Sequence, residues 1–151
     1  SPEMNQRSMA RLKLSSELHH ALERDELKLF YQAQYDCQSG KLVGAEALIR
    51  WQHPVRGFVS PAEFIPFAEE TGLIIPIGEW VLRRACHQTH LWQQQFDLPE
   101  LMISVNLSAK QFAQPNLEQQ IQLILAETQL SPEHLKLEIS KIKMKYIISY
   151  H

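Results

Sequence analysis

The chain has 151 residues, 44% of them hydrophobic and 21% charged, which fits one ordinary globular domain with a real core and excludes two large ones. Its longest apolar stretches, such as Leu73 to Ile77, stop well short of the roughly 20 residues that cross a bilayer, and no signal-peptide pattern opens it. Fifteen Lys and Arg against 17 Asp and Glu give a formal charge of -2 with no dense basic stripe, which argues against double-stranded nucleic acid as a ligand. Two cysteines, Cys37 in a polar turn and Cys86 inside an expected helix, offer neither a disulfide framework nor paired metal-ligand spacing and fit a reducing cytoplasm.

The first 24 residues, with Met9, Leu12, Leu18 and Leu22 among good helix formers, read as a polar lead-in helix with one apolar stripe, a linker ahead of the domain. Beginning at Ser1 without a methionine, the chain reads as cut from a longer protein. From Leu27 to Tyr35 the pattern alternates, with Leu27, Leu29 and Tyr31 on one face and Lys28, Phe30, Gln32 and Gln34 on the other, as a strand requires. The turn DCQSGK is too short for a crossover, so the apolar run Leu42 to Trp51 should pair antiparallel with the first strand. Ser60, Pro61 and Glu63 supply an N-cap, a helix-compatible first residue and a capping-box acid, which predicts a helix ending near Thr71-Gly72. A second helix is expected over about Ile77 to Gln95, burying Ile77, Val81, Cys86 and Trp92. Leu101 to Leu107 reads as the third strand, Leu117 to Thr128 as a helix with Leu117, Ile121, Ile124 and Leu125 on one face, and Leu135 to Ser140 as the fourth strand. Strand, helices, strand, helix, strand after a hairpin is the order of an α/β protein with a mostly parallel sheet. The last eleven residues hold Lys141, Lys143 and Lys145 and no acid, so without them 12 bases face 17 acids and the body stands at -5. That atypical tail, 141–151, reads equally as a scar foreign to the domain or as an edge strand with charged gatekeepers.

In α/β folds the functional groups gather at the carboxyl ends of the strands. Period-two alternation puts Gly44, Glu46, Leu48 and Arg50 on one face of the second strand, and only that face carries charge. Ser104 and Asn106 stand opposite the apolar face of the third strand, and Glu138 opposes Leu137 and Ile139 on the fourth. Glu46, Asn106 and Glu138 together would form a hard all-oxygen set suited to Mg²⁺ or Mn²⁺, and the Arg50 guanidinium could hold a phosphate beside it. The alternative from spacing alone is a buried Glu46–Arg50 ion pair with Asn106 capping the turn at Leu107-Ser108. His87 and His90 read as a solvated helix face, His19-His20, Trp51, Trp80 and Trp92 as surface and core, and His53 lies near the mouth of the sheet.

The string GAEALIRWQHP at Gly44 to Pro54, SPAEFIPFAEETGLI at Ser60 to Ile74, VNLS at Val105 to Ser108 and LKLEIS at Leu135 to Ser140 resemble the EAL domain, the bacterial cyclic-di-GMP phosphodiesterase, over residues 25–140. SPEMN and the lead-in helix resemble the junction where a GGDEF domain passes into an EAL domain. The resemblance implies an incomplete (β/α)8, TIM-like barrel whose first strand runs antiparallel. It implies Glu46, Asn106 and Glu138 as ligands of Mg²⁺ or Mn²⁺, with Glu46 as the catalytic carboxylate, and Gln32, Leu48 and Arg50 as contacts for cyclic di-GMP. The reaction implied is metal-assisted hydrolysis to linear pGpG, in a parent protein working in the cytoplasm.

Three departures accompany the resemblance. The usual YQP reads YQA here, with Ala33 in place of proline; Lys141 stands where a second glutamate should follow Glu138; and no DDFGTG-type motif occurs in these residues. A full barrel needs about 250 residues, so the chain is expected to supply about half of one and to show no turnover by itself, and its opened sheet edges imply self-association. A catalytically inactive module that binds the nucleotide or a partner protein is the second expectation, and Mg²⁺-dependent hydrolysis of another phosphodiester is the third.

Overall fold

In the computed structural model, which describes residues 2–139, the chain opens with helix α1 (Pro2–Ala21) and turns through Asp25 into strand β1 (Leu27–Tyr35). Strand β2 (Leu42–His53) follows, then the short strand β3 (Gly57–Val59) and helices α2 (Pro61–Thr71) and α3 (Ile74–Gln95). Strand β4 (Met102–Leu107), the single-turn helix α4 (Ala109–Phe112), helix α5 (Leu117–Thr128), a 3₁₀ turn (Pro132–His134) and strand β5 (Leu135–Ile139) complete it. The tail at 141–151 lies outside the described residues.

The sheet order is β1-β2-β4-β5, with β3 added to the far end of β2. β1 and β2 form the expected antiparallel hairpin, in register from Leu27 opposite Trp51 to Gln34 opposite Gly44. β2, β4 and β5 are parallel, with Glu46 beside Ser104 and Asn106 beside Glu138. This is the expected α/β arrangement of a partial barrel with a reversed first strand. Alternation then decides everything about the two faces. The odd-numbered residues Leu27, Ala45, Ala47, Trp51, Ile103 and Val105 are buried against the helices, where Ile77, Val81, Ala85 and Ile124 close the core. The even-numbered ones form the opposite face, which in a closed barrel is the interior.

Helix α2 starts as predicted, with Ser60 Oγ accepting from the Ala62 N–H and Gly72 closing it at a φ of 80°. Glu63 does not complete a capping box: its carboxylate accepts from Arg56 Nη2 at 2.7 Å, reaching across to the β3 hairpin instead. α3 begins three residues before the expected Ile77, because Ile74 and Ile77 both pack inward, while Trp92 is only half-buried, edge-on to Tyr31 at 4.8 Å. α1 differs most. Its buried stripe is Leu14, Leu18 and Ala21, and Met9 and Leu12 are 69% and 71% exposed. Ahead of Leu14 the helix meets α2 through Arg11, whose Nη2 lies 3.5 Å from Glu70 and whose guanidinium lies over the Phe67 ring at 5.3 Å, and apolar burial begins only at Leu14.

The anchor of α1 is a buried histidine. His53 Nδ1 accepts from the amides of Val55 and Arg56 at 3.1 and 3.0 Å, which leaves the proton on Nε2, and Nε2–H donates to the Glu17 carboxylate. Trp51 lies edge-on to His53, and its indole N–H donates to Glu26 at 3.0 Å. His53 therefore joins the lead-in helix to the last residues of β2.

Candidate active site

Glu46 sits mid-way along β2, 7% exposed, with Gln32 of β1 and Ser104 of β4 as its neighbours across the sheet. Asn106 Nδ2 donates to Glu46 Oε2 at 2.9 Å. The amide therefore turns its carbonyl the other way, and that Oδ1 is buried with no partner among the described residues. A buried acceptor left so costs about 1–3 kcal/mol, a cost that a cation or a donor arriving from outside would remove. Glu138 stands beside Asn106 on the same face, half-buried, with Lys136 Nζ 3.5 Å from its carboxylate. Two carboxylates and an amide oxygen thus share one face of three parallel strands. Among the described residues no three His, Cys, Asp or Glu side chains converge, so a cation here would depend on the amide oxygen, and this set is hard enough for Mg²⁺ or Mn²⁺.

Arg50 is two residues nearer the open end than Leu48. The ion pair with Glu46 that spacing left open is not how Arg50 is held: its Nη1 donates to the Ile49 carbonyl at 2.8 Å and its guanidinium lies over the Phe30 ring. Nor does Asn106 cap the turn after β4. Ser108 does so: Ser108 Oγ accepts from the Gln111 amide at 3.3 Å, and Gln111 Oε1 accepts from the Ser108 amide at 2.9 Å. Gln111, 5% exposed, rests against Gly78 of α3, where only a glycine leaves room for its amide. Sequence reasoning passed over Ser108, Gln111 and Gly78, although S-x-x-Q is itself a capping-box signature. Between the ends of β2 and β4 and helices α2 and α3 a cavity of about 290 Å³ opens, bounded by Leu48, Arg50, Asn106, Ser108, Gln111 and Ile65. Gln32 is exposed on β1, on the same face as Glu46. The structure brings Gln32, Glu46, Leu48, Arg50, Asn106 and Glu138 onto one face. His87 is exposed on α3 and takes no part.

The EAL domain profile matches residues 15–145. The chain belongs to the EAL domain family. It is 44% identical over 138 residues to the bifunctional diguanylate cyclase/cyclic di-GMP phosphodiesterase MucR of Pseudomonas aeruginosa, covering 91% of this chain and 20% of that protein. It is 40% identical over 126 residues to the cyclic di-GMP phosphodiesterase PdeR of Escherichia coli, covering 83% of this chain and 19% of that one. Among solved structures, the MucR phosphodiesterase in complex with c-di-GMP superimposes with a TM-score of 0.81 at 44% identity, covering 85% of this chain and 52% of that one. The cGMP-bound EAL enzyme Bd1971 gives 0.84 at 29% identity, over 94% of this chain and 40% of that one. The chain thus spans about half of a solved EAL domain and about a fifth of the curated relatives. In this EAL domain the partial sheet is therefore part of the family barrel, and no helix among the described residues is long and apolar enough to cross a membrane.

Proposed function

We infer that this chain supplies the N-terminal half of a cyclic-di-GMP phosphodiesterase site, in a parent protein that hydrolyses one phosphodiester bond of cyclic di-GMP to give linear pGpG. The observation that carries the reading is the Glu46–Asn106 pair, a buried carboxylate bonded to an amide whose outward oxygen has no partner among the described residues. Asn106 Oδ1, the Glu46 carboxylate and Glu138 would hold Mg²⁺ or Mn²⁺. When bound, such an ion polarises a phosphodiester oxygen and acidifies water.

The chain's own residues do the rest of the work on this side. Asn106 fixes the Glu46 carboxylate by its hydrogen bond, so that the two oxygens reach a ligand already oriented. Arg50 offers guanidinium N–H groups to a phosphate, for which its planar fork is suited. Leu48 presents an apolar edge beside it, and Gln32 offers both a donor and an acceptor to a base or ribose. Self-association through the end strands of the described sheet, β1 and β5, an upstream GGDEF domain in the parent and a cytoplasmic location belong to the same proposal.

A second reading, a module that binds the nucleotide without turning it over, is favoured by Lys141, which stands where the family resemblance places a second glutamate after Glu138. Calorimetric titration of cyclic di-GMP with Mg²⁺ or Mn²⁺ present, with chromatography for pGpG, tests both. Binding that weakens at least tenfold in Arg50→Ala and in Glu46→Ala is expected, with no pGpG formed by this chain. Absence of binding at millimolar nucleotide overturns the proposal, and pGpG formation that disappears in Glu46→Ala overturns the half-site account of its inactivity.

A further inference from the structure

We propose that Phe30 is the positioning residue for Arg50, holding its guanidinium by a cation–π contact so that it meets an anionic ligand in one fixed orientation. This rests on Arg50 being the phosphate contact. Phe30 stands on the even face of β1, opposite Leu48 and two register pairs from Arg50, the next pair on the same face. The Arg50 Cζ lies 5.7 Å from the centre of the Phe30 ring, within the range of a cation–π contact. Arg50 Nη1 also donates to the Ile49 carbonyl at 2.8 Å.

Phe30 is fixed in turn. Phe58 of β3 meets it edge to face at 5.6 Å, a geometry in which the positive rim of one ring addresses the negative face of the other. Phe30 and Phe58 are 47% and 57% exposed, so neither ring is spent on the core. Phe30 shares its face with Gln32, Leu48 and Glu46, so the ring that meets the guanidinium stands among the residues of the candidate site.

Arg50, like Arg84 over the Trp80 ring at 5.3 Å, differs from the arginines that carboxylates hold. Arg83 is taken up by Glu79 and Glu127 at 3.1 and 2.8 Å, and Arg56 by Glu63. Arg50 forms no ion pair with a carboxylate among the described residues. A ring orients a guanidinium without consuming its charge, and a single carbonyl occupies one N–H. The remaining donors stay available for a phosphate. Holding the same group by a carboxylate would fix it equally well and neutralise it.

Two measurements on the full chain test this. In ¹³C/¹⁵N spectra without nucleotide, the Arg50 side-chain resonances, assigned by their loss in Arg50→Lys, should carry a ring-current shift that disappears in Phe30→Leu and survives in Phe30→Tyr. Phe58→Leu should reduce it partly. Unchanged Arg50 resonances in Phe30→Leu overturn the proposal outright. In titrations with cyclic di-GMP, Phe30→Leu should lower affinity by about two- to fivefold, Phe30→Tyr should not, and the loss should vanish when Phe30→Leu is made in Arg50→Ala. An equal loss in both backgrounds means that the ring acts on the ligand by itself, which also overturns it. Should the parent chain bind no nucleotide, the function proposed above fails, and the spectra still decide whether Phe30 positions Arg50.

Discussion

Adding one methyl group at Gly78 is expected to destabilise the domain, although glycine inside a helix is usually improved by alanine. A Cβ there would lie 1.7 Å from Gln111 Nε2 and 2.8 Å from its Cδ, so the glutamine side chain must leave its seat. With it goes the bond from the Ser108 amide to Gln111 Oε1. A buried N–H left unpaired costs about 1–3 kcal/mol, and repacking an overfilled site about as much again. Against this stands about 1 kcal/mol of helix propensity gained by alanine. Gly78→Ala should therefore lose about 1–5 kcal/mol, read as a lowered urea midpoint at fixed protein concentration. In Gln111→Ala the obstructing atoms are gone, and the same Gly78→Ala change should then stabilise by up to about 1 kcal/mol. The sign reversal is the decisive observation. If Gly78→Ala is as stable as its parent while Gln111 is present, or if the two changes simply add, the seat described for Gln111 is wrong.

Glu17→Ala and His53→Ala should each destabilise by about 1–3 kcal/mol in the same assay, since each leaves a group of a largely buried pair without its partner, whereas Glu23→Ala, at the exposed His20–Glu23 pair, should change nothing measurable. At pH 8 the native chain should react with one thiol reagent per molecule, at exposed Cys37. Burial pushes the Cys86 thiol up to about 12, so its reactive thiolate is only about one part in ten thousand until denaturant exposes it; two rapid equivalents on the native chain would contradict the packing of α3. Light scattering coupled to gel filtration should give a mass above the 17.6 kDa of one chain, and a sharp monomer peak would show that the end strands β1 and β5 attract no partner.

What the sequence disclosed about this molecule is what local periodicity can carry. Alternation along β1 and β2 separated Glu46, Leu48 and Arg50 from Ala45, Ala47 and Ile49 without any knowledge of the fold, and six motif residues landed on one face of the sheet. What it did not disclose joins elements distant along the chain. Glu17 meets His53 across 36 residues and Gln111 fills the space over Gly78, relations that no periodicity of 2 or 3.6 expresses. The stripe assigned to α1 failed for a related reason, because a helix reveals its apolar residues but not where along its length a neighbour begins. β3, three residues long, is too short for alternation to register. Phe30 fell on the polar face by its position in β1, yet its partner Arg50 becomes evident only when the hairpin register is known.

The division of β2 into alternate duties has a consequence for descent. Ala45, Ala47 and Trp51 pack into the core beneath the helices and His53 is buried on the same side, while Leu48 and Arg50 stand outside the hydrophobic core and Gln32, across the hairpin, is exposed. Selection can therefore act on the two sets separately. Exchanging Arg50 or Gln32 should leave the core as it is, whereas exchanging Trp51 removes one of its largest buried side chains.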